Sequence, residues 1–314
     1  MEIIRDVDNL PEALTGSIVT IGNFDGVHRG HREIFRKIAR EAKDAHTKSL
    51  VITFDPHPQK VMHPERRPFF LLTPLNEKLD LISSCGVDAV ILFTFSTTFA
   101  EVTAGEFVEN ILWKKLRLRK LFVGYDYVFG KGKGGNAEFL KASGRRLGFE
   151  VEEIGVVKTD GMIASSTNIR LSILDGDVRL ASEMLGRPYS VSGIVIKGYR
   201  RGTEIGYPTA NLKSEKVIPA TGVYAIIAEL EGTRHQGVIN IGTNPTFGNE
   251  EISAEVHLLD FEGDIYGKDI TILFIERLRD EKKFKGPAEL VRQIKKDIEQ
   301  TRKILSSPLA DMGS

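Results

Sequence analysis

The strongest constraint on the fold is a regular alternation of short apolar runs with helical stretches between residues 18 and 154. Strands that alternate with helices in this way are typical of a parallel sheet whose strands are joined by crossover helices. The first half of the chain is therefore predicted to be an α/β domain built on a parallel sheet. The predicted strands are Ile18 to Ile21, Leu50 to Phe54, Ala89 to Phe95, Lys120 to Val123 and Phe149 to Ile154.

The hydrophobic pattern of the sequence changes near Gly186-Arg187-Pro188. Two short helical stretches, 167–174 and 178–185, precede this point and are separated by a turn-forming Asp-Gly-Asp triplet. Short alternating runs separated by glycine, proline and asparagine follow it, which favours a small antiparallel β-barrel. The predicted barrel strands are Ser190 to Ile196, Gly222 to Leu230, Gln236 to Ile241, Ala254 to Phe261 and Asp269 to Phe274.

Pro287 begins the last predicted element, a helix, because proline is favoured in the first turn of a helix. The chain has 314 residues, which is more than one hydrophobic core usually organises. We therefore expect two domains, residues 1–186 and residues 187–305, followed by a tail of residues 306–314.

The charge balance argues against a nucleic-acid-binding protein. Lysine and arginine together number 43, and aspartate and glutamate together also number 43. A chain without net charge is poorly suited to bind a polyanion. We expect small-molecule partners, with no nucleic acid and no obligatory protein partner.

The remaining composition points to the cytoplasm. Cys85 is the single cysteine, so the chain can form no intramolecular disulfide, and this fits a reducing compartment. The first residues carry charges where a signal peptide needs an apolar run, and no stretch approaches the roughly 20 apolar residues of a membrane span. We expect a cytoplasmic protein that does not associate with membranes.

A glycine-rich turn joins the first predicted strand to the first predicted helix. Its sequence is GNFDGVHRGH, residues 22–31. A strand-to-helix turn of this kind lets backbone N–H groups and the positive end of the helix approach an anion closely. We therefore predict a phosphate site in this turn. Its predicted members are Gly22, Asn23, Phe24, Asp25 and Gly26.

Two histidines, His28 and His31, lie three positions apart at the start of the predicted helix. Imidazole N–H groups there can donate to phosphate oxygens as charge develops on a leaving group, so we predict a catalytic role for both. A zinc site would need a third ligand, and neither a His-Glu-x-x-His pattern nor a cysteine cluster is present. Ordinary helix-capping histidines remain the alternative.

Residues 22–31 resemble the His-x-Gly-His motif of nucleotidyltransferases, in the form found in the bacterial bifunctional riboflavin kinase/FAD synthetase family. Matching stretches at 53–58, 124–131 and 165–170 follow in the same order, and the resemblance spans about residues 15–300. It implies a Rossmann-like α/β nucleotidyltransferase domain, followed by a small antiparallel β-barrel riboflavin kinase domain with a C-terminal helix.

The resemblance also implies which residues bind ATP in the first domain. Asn23 and the two histidines are joined by a second group from the stretch Ser-Ser-Thr-Asn-Ile-Arg. Hydroxyl groups at a helix start and a guanidinium group one turn later suit a triphosphate. The residues predicted from this second group are Ser166, Thr167 and Arg170.

Three further residues are expected near the flavin. The resemblance places Asp126 in the pocket for nucleotide and flavin, and we assign Asp55 and His57 to flavin binding as well. Asp55 and His57 have an alternative role, because the Asp-Pro-His-Pro stretch that contains them can equally be a turn with a structural histidine.

Residues 130–135, GKGKGG, have the G-x-G-x-x-G spacing that also occurs in dinucleotide-binding folds. In those folds the glycines follow the first strand, whereas here that position holds the histidine motif, so we reject this interpretation. A mobile basic loop that reaches phosphate and an ordinary flexible surface loop are both left open.

The second predicted site lacks a P-loop, because G-x-x-x-x-G-K-[ST] does not occur in the sequence. Residues 206–211, GYPTAN, resemble the Gly-x-Pro-Thr-Ala-Asn signature of riboflavin kinases. The resemblance implies that Gly198 and Gly206 lie in an ATP site. Thr209 and Asn211 would offer two neutral oxygens to an ATP-bound Mg²⁺ ion, which takes few protein ligands. A plain turn is the alternative.

Glu255 is the predicted catalytic base of this second site. Strand alternation puts Glu255 and His257 on one face of a strand and Val256 on the other. The resemblance makes Glu255 the base for the ribityl 5′-hydroxyl group of riboflavin. A cross-strand ion pair is the alternative role.

The predicted function is therefore bifunctional. The barrel would phosphorylate riboflavin with ATP to give FMN, and the first domain would transfer AMP from a second ATP to FMN, giving FAD and pyrophosphate. The alternatives are a kinase whose adenylyltransferase domain is degenerate or acts on another metabolite, and a non-catalytic flavin-responsive binding protein.

Overall fold

The structure is a computed structural model that describes six ranges of the chain. The chain forms two compact units. The described ranges are 1–65, 69–159, 161–196, 210–214, 216–246 and 249–306. The first unit comprises Met1–Phe69 with Thr73–Ala164, and the second comprises Phe70–Leu72 with Ser165–Ser314. Residues 165–186 thus group with the barrel, and the domain boundary after residue 186 stays a prediction.

The first unit is built on a six-stranded sheet with the order β1-β4-β3-β2-β5-β8, in which every neighbouring pair is parallel. The strands of this unit are β1 (Glu2–Ile4), β2 (Ile18–Ile21), β3 (Ser49–Asp55), β4 (Ala89–Thr94), β5 (Lys120–Gly124), β6 (Val128–Phe129), β7 (Gly135–Asn136), β8 (Glu150–Ile154), β9 (Lys158–Thr159) and β10 (Met162–Ile163). The predicted parallel sheet is confirmed, and each predicted strand ends within one residue of its observed limits. The edge strand β1 was not predicted.

Helices cover both faces of this sheet. The helices are α1 (Arg29–Asp44), α2 (Pro58–Met62), α3 (Leu75–Ser83), α4 (Thr97–Ala100), α5 (Ala104–Glu106) and α6 (Ala137–Leu147), and a π-helical stretch, Phe107–Lys115, continues α5. Apolar residues of α1 and α3 pack on one face, and those of the π-helical stretch and α6 pack on the other. The carboxyl ends of the strands are left to loops, which is where open parallel sheets bind ligands.

The second unit contains a closed antiparallel barrel with the strand order β11-β12-β15-β14-β13-β16, which confirms the predicted barrel. Its elements are α7 (Ser166–Leu174), α8 (Val178–Leu185), β11 (Tyr189–Ile196), β12 (Ala210–Lys213), β13 (Gly222–Leu230), β14 (Thr233–Thr246), β15 (Asn249–Leu258), β16 (Asp269–Arg279) and α9 (Pro287–Leu305). The last helix begins at the predicted proline. Within the described ranges, no helix is long and apolar enough to cross a membrane.

The helices α7 and α8 pack with the barrel. The guanidinium group of Arg277 on β16 donates to the carbonyl oxygen of Asp175, in the turn between the helices, at 3.4 Å and to that of Thr221 at 2.6 Å. The Ala220 amide donates to the Ile173 carbonyl oxygen at 3.2 Å. The apolar face of α8 is fully buried as well. These contacts make the two helices part of the folded second unit.

A fragment that starts at residue 165 should therefore unfold at a higher temperature than one that starts at residue 187. The shorter fragment loses both helices and exposes the apolar surface that they cover. We expect the melting temperatures to differ by more than about 10 °C, since each kcal/mol shifts the Tm of a small domain by about 4–8 °C. Circular dichroism measures this difference, and equal melting temperatures would show that the helices do not stabilise the barrel.

Candidate active site

The glycine-rich turn after β2 is held by hydrogen bonds from residues that precede and begin α3. The Thr73 amide donates to the Asp25 carboxylate at 3.0 Å, and the Gly26 amide donates to the Thr73 hydroxyl at 2.9 Å. Lys78 Nζ donates to the Asn23 carbonyl oxygen at 3.0 Å. The turn is thus fixed before any ligand arrives, as a phosphate cradle requires.

The predicted members of the cradle differ in accessibility. Gly22 and Asn23 line an open cavity, whereas Phe24 packs edge-on against His31 with ring centroids 5.1 Å apart. Asp25 is 2% exposed, and its carboxylate accepts hydrogen bonds from Thr73. Asp25 therefore supports the turn from below, and its direct contact with phosphate stays a prediction.

The two histidines form a stacked pair at the start of α1. Their ring centroids are 3.6 Å apart, and the rings lie 23° from parallel. His28 is the N-cap residue, and its Nδ1 accepts from the backbone amide of His31 at 3.4 Å. In the neutral ring this bond assigns the proton to Nε2, where it can be donated. The capping alternative is thus correct for one nitrogen of His28, and a phosphate contact through the other stays a prediction.

His31 is a neutral member of this pair. Burial, followed by the neighbouring His28 and Lys78, holds the pKa of His31 well below its usual value. Its Nδ1 atom is buried and has no hydrogen-bond partner among the described residues. Near neutral pH the uncharged His31 ring can therefore donate a hydrogen bond from its N–H group to an anion.

A cavity of about 620 Å³ opens beside the cradle, at the carboxyl ends of the strands. Its volume lies within the range of about 300–1,000 Å³ that is typical of small-molecule sites. Its polar lining includes Asn23, Asp126 and Lys133. Its aromatic lining consists of Phe54, Phe95, Phe99, Phe107, Tyr127 and Phe129. This wall suits a planar apolar ligand, and it was not predicted from the sequence.

Two residues that we expected to bind flavin, Asp55 and His57, lie next to Phe54 and Pro58, which line the cavity. Of the described residues, neither Asp55 nor His57 belongs to the cavity lining. His57 caps α2, because its Nδ1 accepts from the Gln59 amide at 3.2 Å, and its ring stacks on Phe69 with centroids 5.0 Å apart. The structure thus favours the structural-histidine alternative for His57. Flavin contact by either residue stays a prediction.

The Gly-Lys stretch after β6 forms part of the cavity wall. It makes a tight turn between β6 and β7, and the Lys131 side chain binds Glu101 at 2.7 Å. Gly130 has a φ of 74°, and a Cβ atom there would lie 2.6 Å from the Ala104 backbone nitrogen. This close approach requires glycine. Lys133 projects from the same turn into the cavity lining.

The predicted triphosphate group lies at the start of α7. Ser165 caps this helix by accepting from the Asn168 amide at 3.2 Å, so Ser166 and Thr167 are its first residues. Arg170 lies one turn later, and its guanidinium group donates to the Phe70 carbonyl oxygen at 3.4 Å. The predicted helix start is therefore confirmed, and the contact of these side chains with ATP stays a prediction.

Glu255 lies on β15 with its strand neighbours facing the barrel core. Ala254 and Val256 are each 3% exposed, whereas Glu255 is half-buried on the opposite face. The residues opposite Glu255 in register are Asn211 on β12 and Asn240 on β14. Neither asparagine can form an ion pair, so a directly opposed cross-strand ion pair is excluded.

The remaining predicted residues of the second site lie outside the described residues. They are Gly198, Gly206 and Thr209. Asn211 belongs to β12 and pairs with Glu255 in register, so it is placed beside the predicted base. Across the described ranges, no group of three or more His, Cys, Asp or Glu residues is arranged to hold a metal ion.

Comparison with known proteins assigns a family to each half of the chain. The family model described as FAD synthetase matches residues 10–168, and the model described as riboflavin kinase matches residues 185–305. The bifunctional riboflavin kinase/FMN adenylyltransferase of Escherichia coli (strain K12) is 38% identical over 300 residues, which cover 95% of this chain and 96% of the relative. The protein of that name from Pseudomonas fluorescens is 36% identical over 312 residues and covers 99% of both chains.

A solved structure from Streptococcus pneumoniae, named as a macrolide-efflux protein, is similar over both halves of the chain. It has a TM-score of 0.86 and 35% identity, and it covers 96% of this chain and 98% of its own. The efflux activity in that name belongs to that protein and has no counterpart in the two family models.

Proposed function

The chain belongs to the bifunctional riboflavin kinase/FMN adenylyltransferase family, and we propose that it carries out both reactions of that name. Riboflavin and ATP give FMN, and FMN and a second ATP then give FAD and pyrophosphate. The observation that carries the second reaction is the aromatic cavity that opens beside the histidine cradle, since Gly22 and Asn23 belong to both.

In the adenylyl transfer, an oxygen of the FMN phosphate attacks the α-phosphorus of ATP, and the bond to the pyrophosphate oxygen breaks. The nucleophile is already anionic, so no strong base is needed. The rate depends on alignment and on donors that stabilise the departing pyrophosphate. We assign that role to His28 and His31, together with the amides of the turn. Binding of ATP by Ser166, Thr167 and Arg170 stays a prediction from the family resemblance.

The aromatic cavity is the proposed flavin site of this reaction. A flavin ring is planar, and aromatic side chains stabilise planar rings by stacking and edge contacts. Tyr127 and Phe129 are already stacked with centroids 5.5 Å apart. Asp126 at the same wall would receive polar atoms of the ring, and Lys133 would meet the phosphate.

The kinase reaction differs because its nucleophile is a neutral hydroxyl group. Glu255 would take the proton of the ribityl 5′-hydroxyl group as its oxygen attacks the γ-phosphorus of ATP. Thr209 and Asn211 would hold a Mg²⁺ ion, which neutralises charge on the ATP phosphates when bound. The register that places Asn211 opposite Glu255 supports this assignment.

Chromatography of riboflavin, FMN and FAD after incubation of the full chain with riboflavin and Mg-ATP tests the proposal. We expect FMN first and then FAD, with one pyrophosphate released for each FAD. FMN that accumulates without FAD would favour the kinase with a degenerate or differently directed adenylyltransferase domain. Flavin binding without any product would favour the flavin-responsive binding protein. We also propose a cytoplasmic location, which agrees with the single cysteine.

Replacing Gly135 by alanine should impair FAD formation by displacing Phe129. A Cβ atom at Gly135 would lie 2.4 Å from the Phe129 ring and 2.8 Å from Ala104 Cβ. Phe129 lines the cavity and would have to move, so we expect kcat/KM for FMN to fall by about 10- to 100-fold, as small misplacements in binding sites can do. Steady-state FAD synthesis at varied FMN concentrations measures the effect.

Gly134→Ala is the matched control, because a Cβ atom there would come no closer than 3.4 Å to the Lys131 carbonyl oxygen. This variant should retain normal FAD synthesis, and both variants should phosphorylate riboflavin normally. Equal kcat/KM for FMN in the two folded variants would contradict the placement of flavin against Phe129.

A further inference from the structure

Lys78 is a buried cation directly beneath the phosphate turn. It lies on α3 and is 4% exposed. Its ammonium group has three N–H donors, and among the described residues its hydrogen bond goes to the Asn23 carbonyl oxygen at 3.0 Å. Burying a charged group costs several kcal/mol unless other charges compensate for it. The proposed adenylyl transfer makes no use of this group.

Two carboxylates partly offset the effect of burial on the pKa of Lys78. Burial lowers the pKa of Lys78, while the carboxylates of Asp25 and Asp55 act in the opposite direction. Asp25 is itself held by Thr73. The cation is therefore confined between the turn after β2 and the end of β3.

Asn23 connects this buried cation to the cavity. Its carbonyl oxygen accepts from Lys78 and, at 3.2 Å, from the hydroxyl group of Thr53. The residue itself is exposed and lines the cavity. The two hydrogen bonds thus fix the peptide plane that leads into the cradle, while the rest of Asn23 remains available to a ligand.

We propose that Lys78 is a positioning residue for adenylyl transfer, whose buried ammonium group fixes the Asn23 carbonyl and places a positive charge beside His31. This proposal rests on the proposed function. A neutral donor already reaches the same carbonyl from Thr53, so holding the turn does not by itself require a buried charge. The charge has a second effect, because it opposes protonation of His31.

The charges near His31 determine how its pKa should change when the Lys78 charge is removed. After burial, His28 and Lys78 both lower the pKa of His31. Without the Lys78 charge, protonation of His31 becomes easier and its pKa rises. If the neutral ring is the active form, the acidic limb of the FAD-synthesis pH profile then moves to higher pH.

Lys78→Met and Lys78→Arg, made in the full chain, test the proposal. Methionine keeps an unbranched apolar stem without a charge. Removing one charge from a buried group of opposite charges is destabilising, so circular dichroism first establishes that Lys78→Met is folded at the assay temperature, and Lys78→Arg tests the role of the charge in a variant that keeps it. We expect kcat/KM for FAD synthesis to fall by about 10- to 100-fold, as for loss of a hydrogen bond to a charged group. The His31 pKa, measured by NMR of the ring protons, should rise in Lys78→Met and stay near the wild-type value in Lys78→Arg.

Lys43→Met is the matched control, because Lys43 is exposed at the far end of α1 from the histidines. It should change neither FAD synthesis nor the His31 titration, and riboflavin phosphorylation should be normal in all three variants. The proposal is overturned if Lys78→Met leaves kcat/KM unchanged, or if the His31 pKa does not rise in Lys78→Met. Wild-type protein that makes no FAD from FMN would instead refute the proposed function, and the NMR titration would still test the action of Lys78 on His31.

Discussion

FAD synthesis from supplied FMN and ATP should fall by about 1,000-fold or more when His28 and His31 are both replaced by alanine. Removing one preorganised donor from a site that stabilises developing charge costs about 100- to 1,000-fold in kcat. Both rings stand at the cradle, and the loss acts on the transition state more than on bound ATP. Quenched-flow measurement of FAD and pyrophosphate formation would determine the loss.

The single variants should show non-additive losses. The rings are stacked 3.6 Å apart, so removing either one frees the other to move. Riboflavin phosphorylation by the same preparations is the internal control and should persist, because the kinase residues lie in the second unit. FAD synthesis near the wild-type rate in a folded double variant would remove the histidines from the mechanism.

The sheet and the glycine-rich turn after β2 could be predicted because their signals are local. The apolar runs of β2 to β5 and the glycine pattern of residues 22–31 each occupy a short window, which periodicity and turn chemistry describe directly. The same holds for β15, where alternation correctly separated Glu255 from the buried Val256. The three-residue strand β1 was missed because such a short segment has no measurable period.

The support beneath the turn could not be predicted, because its contacts join distant positions. Lys78 and Asn23 are 55 positions apart, and Thr73 and Asp25 are 48 apart. Packing of α3 against the sheet sets these contacts, and no local pattern marks them. Lysine is rarely fully buried, so the local sequence gives no indication that Lys78 lies beneath the turn.

The aromatic cavity was missed for a related reason. Its wall collects side chains from four separate segments, including Phe54 near the end of β3, Phe107 in the π-helical stretch and Phe129 on β6. Each residue alone is typical of a hydrophobic core. Composition alone, 17 phenylalanines against 7 tyrosines and 1 tryptophan, does not say which rings meet.

Replacing Glu255 by glutamine should reduce FMN formation by about 100- to 10,000-fold, the loss typical of a missing general base. Glutamine keeps the size and most of the hydrogen-bonding capacity of glutamate, but it cannot take a proton from the ribityl hydroxyl group. The affinity for ATP should change little, because the carboxylate acts on the nucleophile. Single-turnover phosphorylation of riboflavin under saturating Mg-ATP measures the chemical step.

The control for this prediction is Glu229→Gln on β13. Glu229 forms an exposed ion pair with Arg234 at 2.9 Å, so its loss should leave phosphorylation intact. The residues directly opposite Glu255 in register are two asparagines, so an ion pair between directly opposed residues is not available to it. A purely structural Glu255 would nevertheless reveal itself, because Glu255→Gln would then lower the melting temperature and leave the single-turnover rate of the folded protein near normal. FAD synthesis from supplied FMN should be unaffected in either case, so a loss confined to FMN formation at an unchanged melting temperature assigns the proton transfer to this carboxylate.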